Sequence, residues 1–417
     1  MIPGDGPLGL AAGSLRPGAI ALLGLLAACG VVLAWDRVPG WARRAGGSTA
    51  VLLAAALLVR ALLSLAVDGG LYDVFDAYRI VGSTLRAGRD VFVEPALGLA
   101  NYPPLVYWWW AAASAVPADH PHLYAALIRA PFWIADAGIA LLILRAAPRR
   151  IARRAAWLYA LSPVAAAVPT LHGQFEPWVL LPLVAAVVVL PERPGAAGLL
   201  AGLAIAIKPW PVFFLVPLLA TLPRRSWRPL LLGVAVVPLA AFAVYTPLHP
   251  GNLTTGLHRI VTYQAHRQGF GTSLLFADGV DALPINLLNL AAGGLAIGAG
   301  VLAARQGRVR SEALALSMLV LLTLSPTVSD QYLVWPLPFL LLAGRLRVAA
   351  LLGVAAVPAI AAVDLWTSQD GASTPRPLFL LVTMATGAAA IYLALRPGAC
   401  HEPLTAAARP ERVAVAA

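Results

Sequence analysis

The sequence predicts an all-α, polytopic transmembrane protein of about 12 to 14 membrane segments, with further helices lying along the external surface. Three observations predict it. Of 417 residues, 60% are hydrophobic and 12% charged, with a mean hydropathy of +0.80, far from an ordinary soluble globule. Apolar runs able to cross a bilayer recur along the whole chain. Those runs are continuous Ala/Leu/Val stretches without alternation, which excludes a β-barrel.

The expected spans are 19–35, 49–67, 123–145, 155–170, 176–190, 196–207, 209–222, 229–247, 285–305, 312–326, 331–344, 348–363 and 378–395. The two that flank Lys208 are short and are expected to form one broken, re-entrant or tilted hairpin. The stretch 102–118 opens on two prolines and carries Trp108-Trp-Trp110, which suits a helix anchored at the interface. Leu26-Ala-Ala-Cys29 resembles a lipoprotein cleavage box. Cleavage there would leave too little apolar chain before Arg43 for a first span, so 19–35 is expected to stay uncleaved.

Arginine sets the orientation. Loops holding Arg37, Arg43 and Arg44, then Arg145 to Arg154, Arg224 to Arg228, Arg305 to Arg310, and Arg345 with Arg347 all fall on one side if the spans alternate. That side is expected to be cytoplasmic. The net charge of +11 is explained by these loops, so no nucleic-acid partner is expected. Residues 1–396 read as one membrane domain, with external loops at 68–122 and 248–284, and 397–417 as a disordered cytoplasmic tail. No internal repeat is visible. Cys29 and Cys400 make neither a disulfide framework nor a metal site.

The opposite side gathers most of the acids and six of the seven histidines, so chemistry is expected there. Its first loop runs Asp73-Val-Phe-Asp76-Ala-Tyr78 and on to Leu85-Arg-Ala-Gly88. Asp73 and Asp76 would share a helix face, although a first-turn aspartate can also be a simple cap. Asn101-Tyr102-Pro-Pro-Leu105, His172-Gly-Gln174-Phe-Glu176, Lys208-Pro-Trp-Pro211 and Asp330-Gln331-Tyr332 follow, the last just before Trp335-Pro336.

In this order the motifs resemble those of the C-type membrane glycosyltransferase superfamily (GT-C). The nearest likeness is to the polyprenol-phosphate-mannose-dependent mannosyltransferases of family 87; the dolichyl-phosphate-glucose-dependent glucosyltransferases are also similar. The resemblance covers roughly 49–345 and implies a GT-C-like fold. It further implies an inverting transfer of a hexose, mannose by the nearest likeness, from a polyprenyl-phosphate carrier to an acceptor hydroxyl. A glycolipid, glycan or protein is expected as acceptor. Two positions depart from the glucosyltransferase pattern and bear on the donor sugar: Asn101 replaces an acid, and Glu176 an amide. The resemblance carries the general-base role to Asp73, with Asp76 in reserve.

Lys208 is the single lysine, set inside an apolar run. A charge at membrane depth costs about 2.5–3.5 kcal/mol, and a phosphate about 4 Å away at an effective dielectric of about 20 returns about 4 kcal/mol. Lys208 is therefore expected to meet the lipid phosphate, helped by His266 and Arg267; a snorkelling lysine is the plainer alternative. Tyr102, His172, Gln174, Glu176, Tyr263, Asp330, Gln331 and Tyr332 are expected to line the sugar or acceptor pocket. Clustered carboxylates are able to bind a divalent cation, but no ligand spacing here is diagnostic and no cofactor is assigned. The arginine-rich, lysine-poor composition suits a GC-rich bacterial genome, hence a plasma-membrane enzyme facing outward. The competing functions are a transporter or lipid flippase with Asp136 and Lys208 on its path, and a membrane scaffold.

Overall fold

The computed structural model describes residues 15–66, 73–94, 100–248, 253–261, 282–326, 328–360 and 376–396. The secondary structure among them is helical. In order they form α1 (Leu15–Leu33), α2 (Gly40–Ala45), α3 (Thr49–Ala66), α4 (Arg79–Arg86), α5 (Leu105–Ala113), α6 (Pro121–Ala146), α7 (Ala152–Ala160), α8 (Pro163–Ala167) and α9 (Glu176–Val189). Then come α10 (Pro194–Ile207), α11 (Leu215–Ala220), α12 (Trp227–Leu248), α13 (Leu253–Val261), α14 (Ala282–Arg305), α15 (Arg310–Leu324), α16 (Pro336–Leu342), α17 (Leu346–Ile360) and α18 (Arg376–Leu395). Most of the 248–284 loop and the whole 397–417 tail lie outside the described residues.

Among the described residues, three helices are individually long and apolar enough to cross a membrane: Pro121–Ala146, Arg224–Leu248 and Leu287–Arg305. The other expected spans are met by shorter apolar helices, and proline is the reason for several breaks. The 155–170 span stops at Leu161, restarts at Pro163 with Ser162 as its cap, and ends in a π-helical turn, Val168–His172. The 209–222 and 331–344 spans each begin with a 3₁₀ turn, Trp210–Phe214 and Asp330–Val334. Helix α5 has 9 residues, a length of about 14 Å. That is under half of the roughly 30 Å hydrocarbon core, as expected of a non-crossing segment.

The predicted hairpin about Lys208 differs in one respect. Its arms do not pack on each other: α10 lies between α9 and α12, whereas α11 lies against α14 and α15. The α10–α12 approach depends on small residues. A Cβ on Gly198 would stand 2.2 Å from the Leu230 carbonyl oxygen, and one on Gly202 would stand 2.5 Å from that of Val234. With so little room between backbones, only glycine fits.

The bundle is apolar outside as well as within, and a few charges lie buried in its core. Leu58, Leu62 and Leu65 on α3, Leu239 and Val244 on α12, and Leu290 on α14 are exposed, whereas Arg60, Arg129, Asp136, Glu176 and Lys208 are buried. Asp136 has no exposed surface and pairs with Arg60 at 2.8 Å; the Tyr159 hydroxyl donates to its other oxygen at 2.6 Å. Arg60 also donates to the carbonyls of Ala56 and Ala160. This clamp ties α3, α6 and α7 together and leaves Asp136 no free oxygen for a transport path.

Chain ends gather as alternating spans require. The Tyr124 hydroxyl at the start of α6 donates to the Val74 carbonyl beside Asp73. Some 39 Å away along the 26-residue helix, the chain enters the loop where Arg153 and Trp157 donate to the Gly46 carbonyl and Arg154 pairs with Asp36. Glu312 there joins Arg308 and Arg345, which also donate to the closing carbonyls of α18.

Removing one partner of the buried pair should be severe. Asp136→Ala is expected to cost about 3–5 kcal/mol by stranding Arg60, read as a lowered Tm in lipid nanodiscs. Gly198→Val is expected to cost at least about 1–3 kcal/mol through forced separation of α10 and α12, read the same way. A wild-type Tm in either variant contradicts the corresponding assignment.

Candidate active site

The acidic end of the bundle is built from short, irregular backbone segments. Asp73 opens a π-helical turn, Asp73–Tyr78, of a kind often found at functional positions. Tyr78 is buried and stacks on Trp110 at 4.2 Å, which fixes the turn against α5. Ahead of α5, Pro103 and Pro104 supply no amide hydrogen. The Tyr107 hydroxyl compensates by accepting from the Tyr102 amide and donating to the Tyr102 carbonyl, both at 2.8 Å.

The second segment is the π turn ending at His172. Arg129, buried in α6, donates to the Thr170 carbonyl at 2.8 Å and supports this turn from behind. Gly173 follows with φ of 77°, a left-handed conformation that disfavours any side chain. The reversal brings the Gln174 amide hydrogen to the Val168 carbonyl at 3.0 Å and sends the Gln174 side chain toward Asp73. Glu176 then starts α9, with Pro177 in the first turn, where a carboxylate suits the positive end of the helix.

Lys208 occupies the third break. It is the residue after α10, extended at φ −148° and ψ 133°, as a residue preceding proline should be. Its Nζ lies 2.5 Å from Glu176 Oε1, 3.4 Å from Gln174 Oε1 and 3.5 Å from Gln331 Oε1. Both charged side chains are almost wholly buried, 6% exposed for Lys208 and 0% for Glu176. The other Glu176 oxygen accepts the indole N–H groups of Trp210 at 3.2 Å and Trp335 at 3.0 Å, whose rings stack at 4.0 Å. Phe175, Tyr102 and Tyr332 turn their rings toward the ammonium at 4.8, 5.4 and 5.9 Å.

The compensation that the lysine needs at membrane depth therefore comes from the protein itself. Glu176 supplies it.

Asp73 is the more open carboxylate, 29% exposed. Gln174 donates through Nε2 to its Oδ2, and His172 Nε2 lies 3.6 Å from the same oxygen. Among the described residues no hydrogen bond reaches Oδ1. Asp76 lies in the same turn; burial first, and then the charge of Asp73, hold its carboxyl above the usual aspartate range. Hence one of the paired carboxylates is partly exposed with an oxygen that no described residue engages, and a second lies close enough to feel its charge.

Of the residues expected at a site, the fold assembles Asp73, Asp76, Tyr102, His172, Gln174, Glu176, Lys208, Gln331 and Tyr332. The backbone of Asp330 is described, but its side chain is not, and Tyr263, His266 and Arg267 lie outside the described residues. Among the described residues no three His, Cys, Asp or Glu side chains are arranged to hold a metal ion.

Sequence reasoning passed over Trp210 and Trp335 although both stood inside quoted motifs. The available signal was chemical: a buried carboxylate seeks donors, and a buried indole seeks an acceptor. The three tryptophans of α5 also need correcting. Trp110 is fully buried as a wall of this site, and only Trp108 and Trp109 are partly exposed as an interfacial anchor would be.

No curated protein and no solved structure matches the chain. A family model does: glycosyltransferase family 87 matches residues 99–329, more than half of the sequence. The matched stretch holds Tyr102, the His172 to Glu176 turn and Lys208; Asp73 lies before it and Gln331 just after. A helical bundle with buried charge and apolar exterior, carrying its reactive groups at one end, suits a membrane glycosyltransferase. On that match the chain belongs to glycosyltransferase family 87.

Proposed function

We propose that this glycosyltransferase moves a hexose, mannose by its nearest resemblance, from a polyprenyl-phosphate carrier to an acceptor hydroxyl at the external face of a bacterial plasma membrane. The acceptor class is a glycolipid, a glycan or a protein. Asp73 takes the acceptor proton while the hydroxyl attacks the anomeric carbon from the side opposite the phosphate. The sugar configuration inverts, and no covalent enzyme intermediate forms.

The observation that carries the reading is the state of Asp73. One oxygen is held by Gln174 beside His172, and the other is unengaged by the described residues on a side chain that is 29% exposed. Asp76 is the reserve base. Tyr102, His172, Gln331 and Tyr332, joined by Tyr263 and Asp330, form the sugar and acceptor pocket, with Gln174 and Glu176 in its floor. The lipid phosphate is assigned to positive charge from Arg267 and His266 in the 248–284 loop, the charge of Lys208 being neutralised by Glu176. An external location follows from the arginine-rich opposite end, the side normally retained in the cytoplasm.

The test uses purified protein in nanodiscs, radiolabelled polyprenyl-phosphate mannose, glucose and arabinose, and a membrane extract as acceptor. Product with a single inverted anomeric configuration from one donor is expected. Asp73→Asn should lower kcat by about 10²–10⁴-fold while donor binding persists. Retention of configuration, or a fully active Asp73→Asn, sinks the mechanism.

A second outcome follows from the two causes acting on Asp76. Removing the Asp73 charge leaves only burial, so Asp76 in Asp73→Asn should titrate at lower pH than in the wild type. Infrared difference spectra of its carboxyl band across a pH series read this directly; an unchanged midpoint means that the two carboxyls are not coupled.

A further inference from the structure

The side-chain amide of Gln174 has one donor group and one acceptor, and its neighbours decide which way each points. Lys208 has only donors to give. Its three ammonium protons are met by three acceptors: Glu176 Oε1 at 2.5 Å, Gln174 Oε1 at 3.4 Å and Gln331 Oε1 at 3.5 Å. Since the Gln174 carbonyl faces the lysine, its NH₂ must face Asp73, where it donates to Oδ2. Turning the amide over would press a carbonyl against a carboxylate on one side and a donor against an ammonium on the other.

The lysine is itself enclosed on several sides. Its side chain is 6% exposed, its partner Glu176 is fixed by two indole donors, and aromatic rings from Tyr102, Phe175 and Tyr332 surround it. One close acceptor and two longer ones inside the protein therefore already surround the ammonium.

We infer that Lys208 is a positioning residue for Asp73, acting through Gln174: it fixes the amide that holds Oδ2 and so leaves Oδ1 as the atom that takes the acceptor proton. The inference rests on the assignment of Asp73 as the base. It replaces direct phosphate contact, the role the sequence suggested for the lysine, with an internal one. No bond to Lys208 forms or breaks, and its proton inventory is unchanged through turnover.

Steady-state kinetics of wild type, Lys208→Met, Gln174→Met and Asp73→Asn in nanodiscs test it, with the one polyprenyl-phosphate hexose that the wild type uses. Lys208→Met and Gln174→Met should each lose kcat by about 10–10²-fold, the scale of a misplaced catalytic group, with the donor KM within about twofold of wild type. A raised donor KM with unchanged kcat in Lys208→Met assigns the lysine to the phosphate and overturns the inference. Wild-type kcat in Gln174→Met also overturns it. Because Lys208→Met strands Glu176 and is liable to misfold, Gln174→Met carries the test in that event: it cuts the connection to Asp73 but keeps the ion pair. Full activity in Asp73→Asn is a separate result, which removes the base assignment whatever the two other variants do.

Discussion

Lys208 and Glu176 lie 2.5 Å apart in a region where neither charge would be tolerated alone. Burial of a single ion among apolar helices is costly enough to displace the group or neutralise it. The pair solves this only because further donors and acceptors complete it: two indoles on one oxygen of the glutamate, two amides on the ammonium. Four separate parts of the chain are thereby tied at one point. They are the turn before α9, the end of α10, the 3₁₀ turn after it, and the 3₁₀ turn before α16. The position of Gln174, and through it of Asp73, depends on that knot.

Around the knot, helix breaks serve the site directly. A continuous α-helix satisfies its own backbone and presents side chains only sideways. By ending α10 at Ile207 and starting α9 at Glu176, the fold lets the Lys208 and Glu176 side chains meet. The two π turns do similar work with Asp73 and His172. The backbone groups that these breaks release are taken up locally, by the Tyr107 hydroxyl, by Arg129 and by the amide of Gln174.

The opposite end performs a different task. Arg308 and Arg345 close on Glu312 and cap the carbonyls of α18, and Arg153 with Trp157 secures the Gly46 loop. Arginine in these loops seals chain ends. Arg60 with Asp136 holds the middle. What looked from sequence like an intramembrane acid available for transport is a closed structural clamp.

Much of this was determined by the sequence alone. Helical spans, their approximate limits and their alternation follow from apolar length and arginine position, because backbone hydrogen bonding in lipid permits little else. The short α5 and the candidacy of Asp73, His172, Gln174, Lys208 and Gln331 could be read from proline, tryptophan and polar residues set where apolar ones are expected, and the fold brings these residues together. Which of those groups touch was decided only by tertiary structure. Lys208 and Glu176 are 32 residues apart, and Glu176 and Trp335 are 159 apart. A one-dimensional pattern shows that a buried charge needs a partner, but partner identity depends on how helices pack, and here that is set by glycine contacts such as Gly198 against Leu230. For this reason the sequence pointed to a phosphate for the lysine, while the fold had placed a carboxylate beside it.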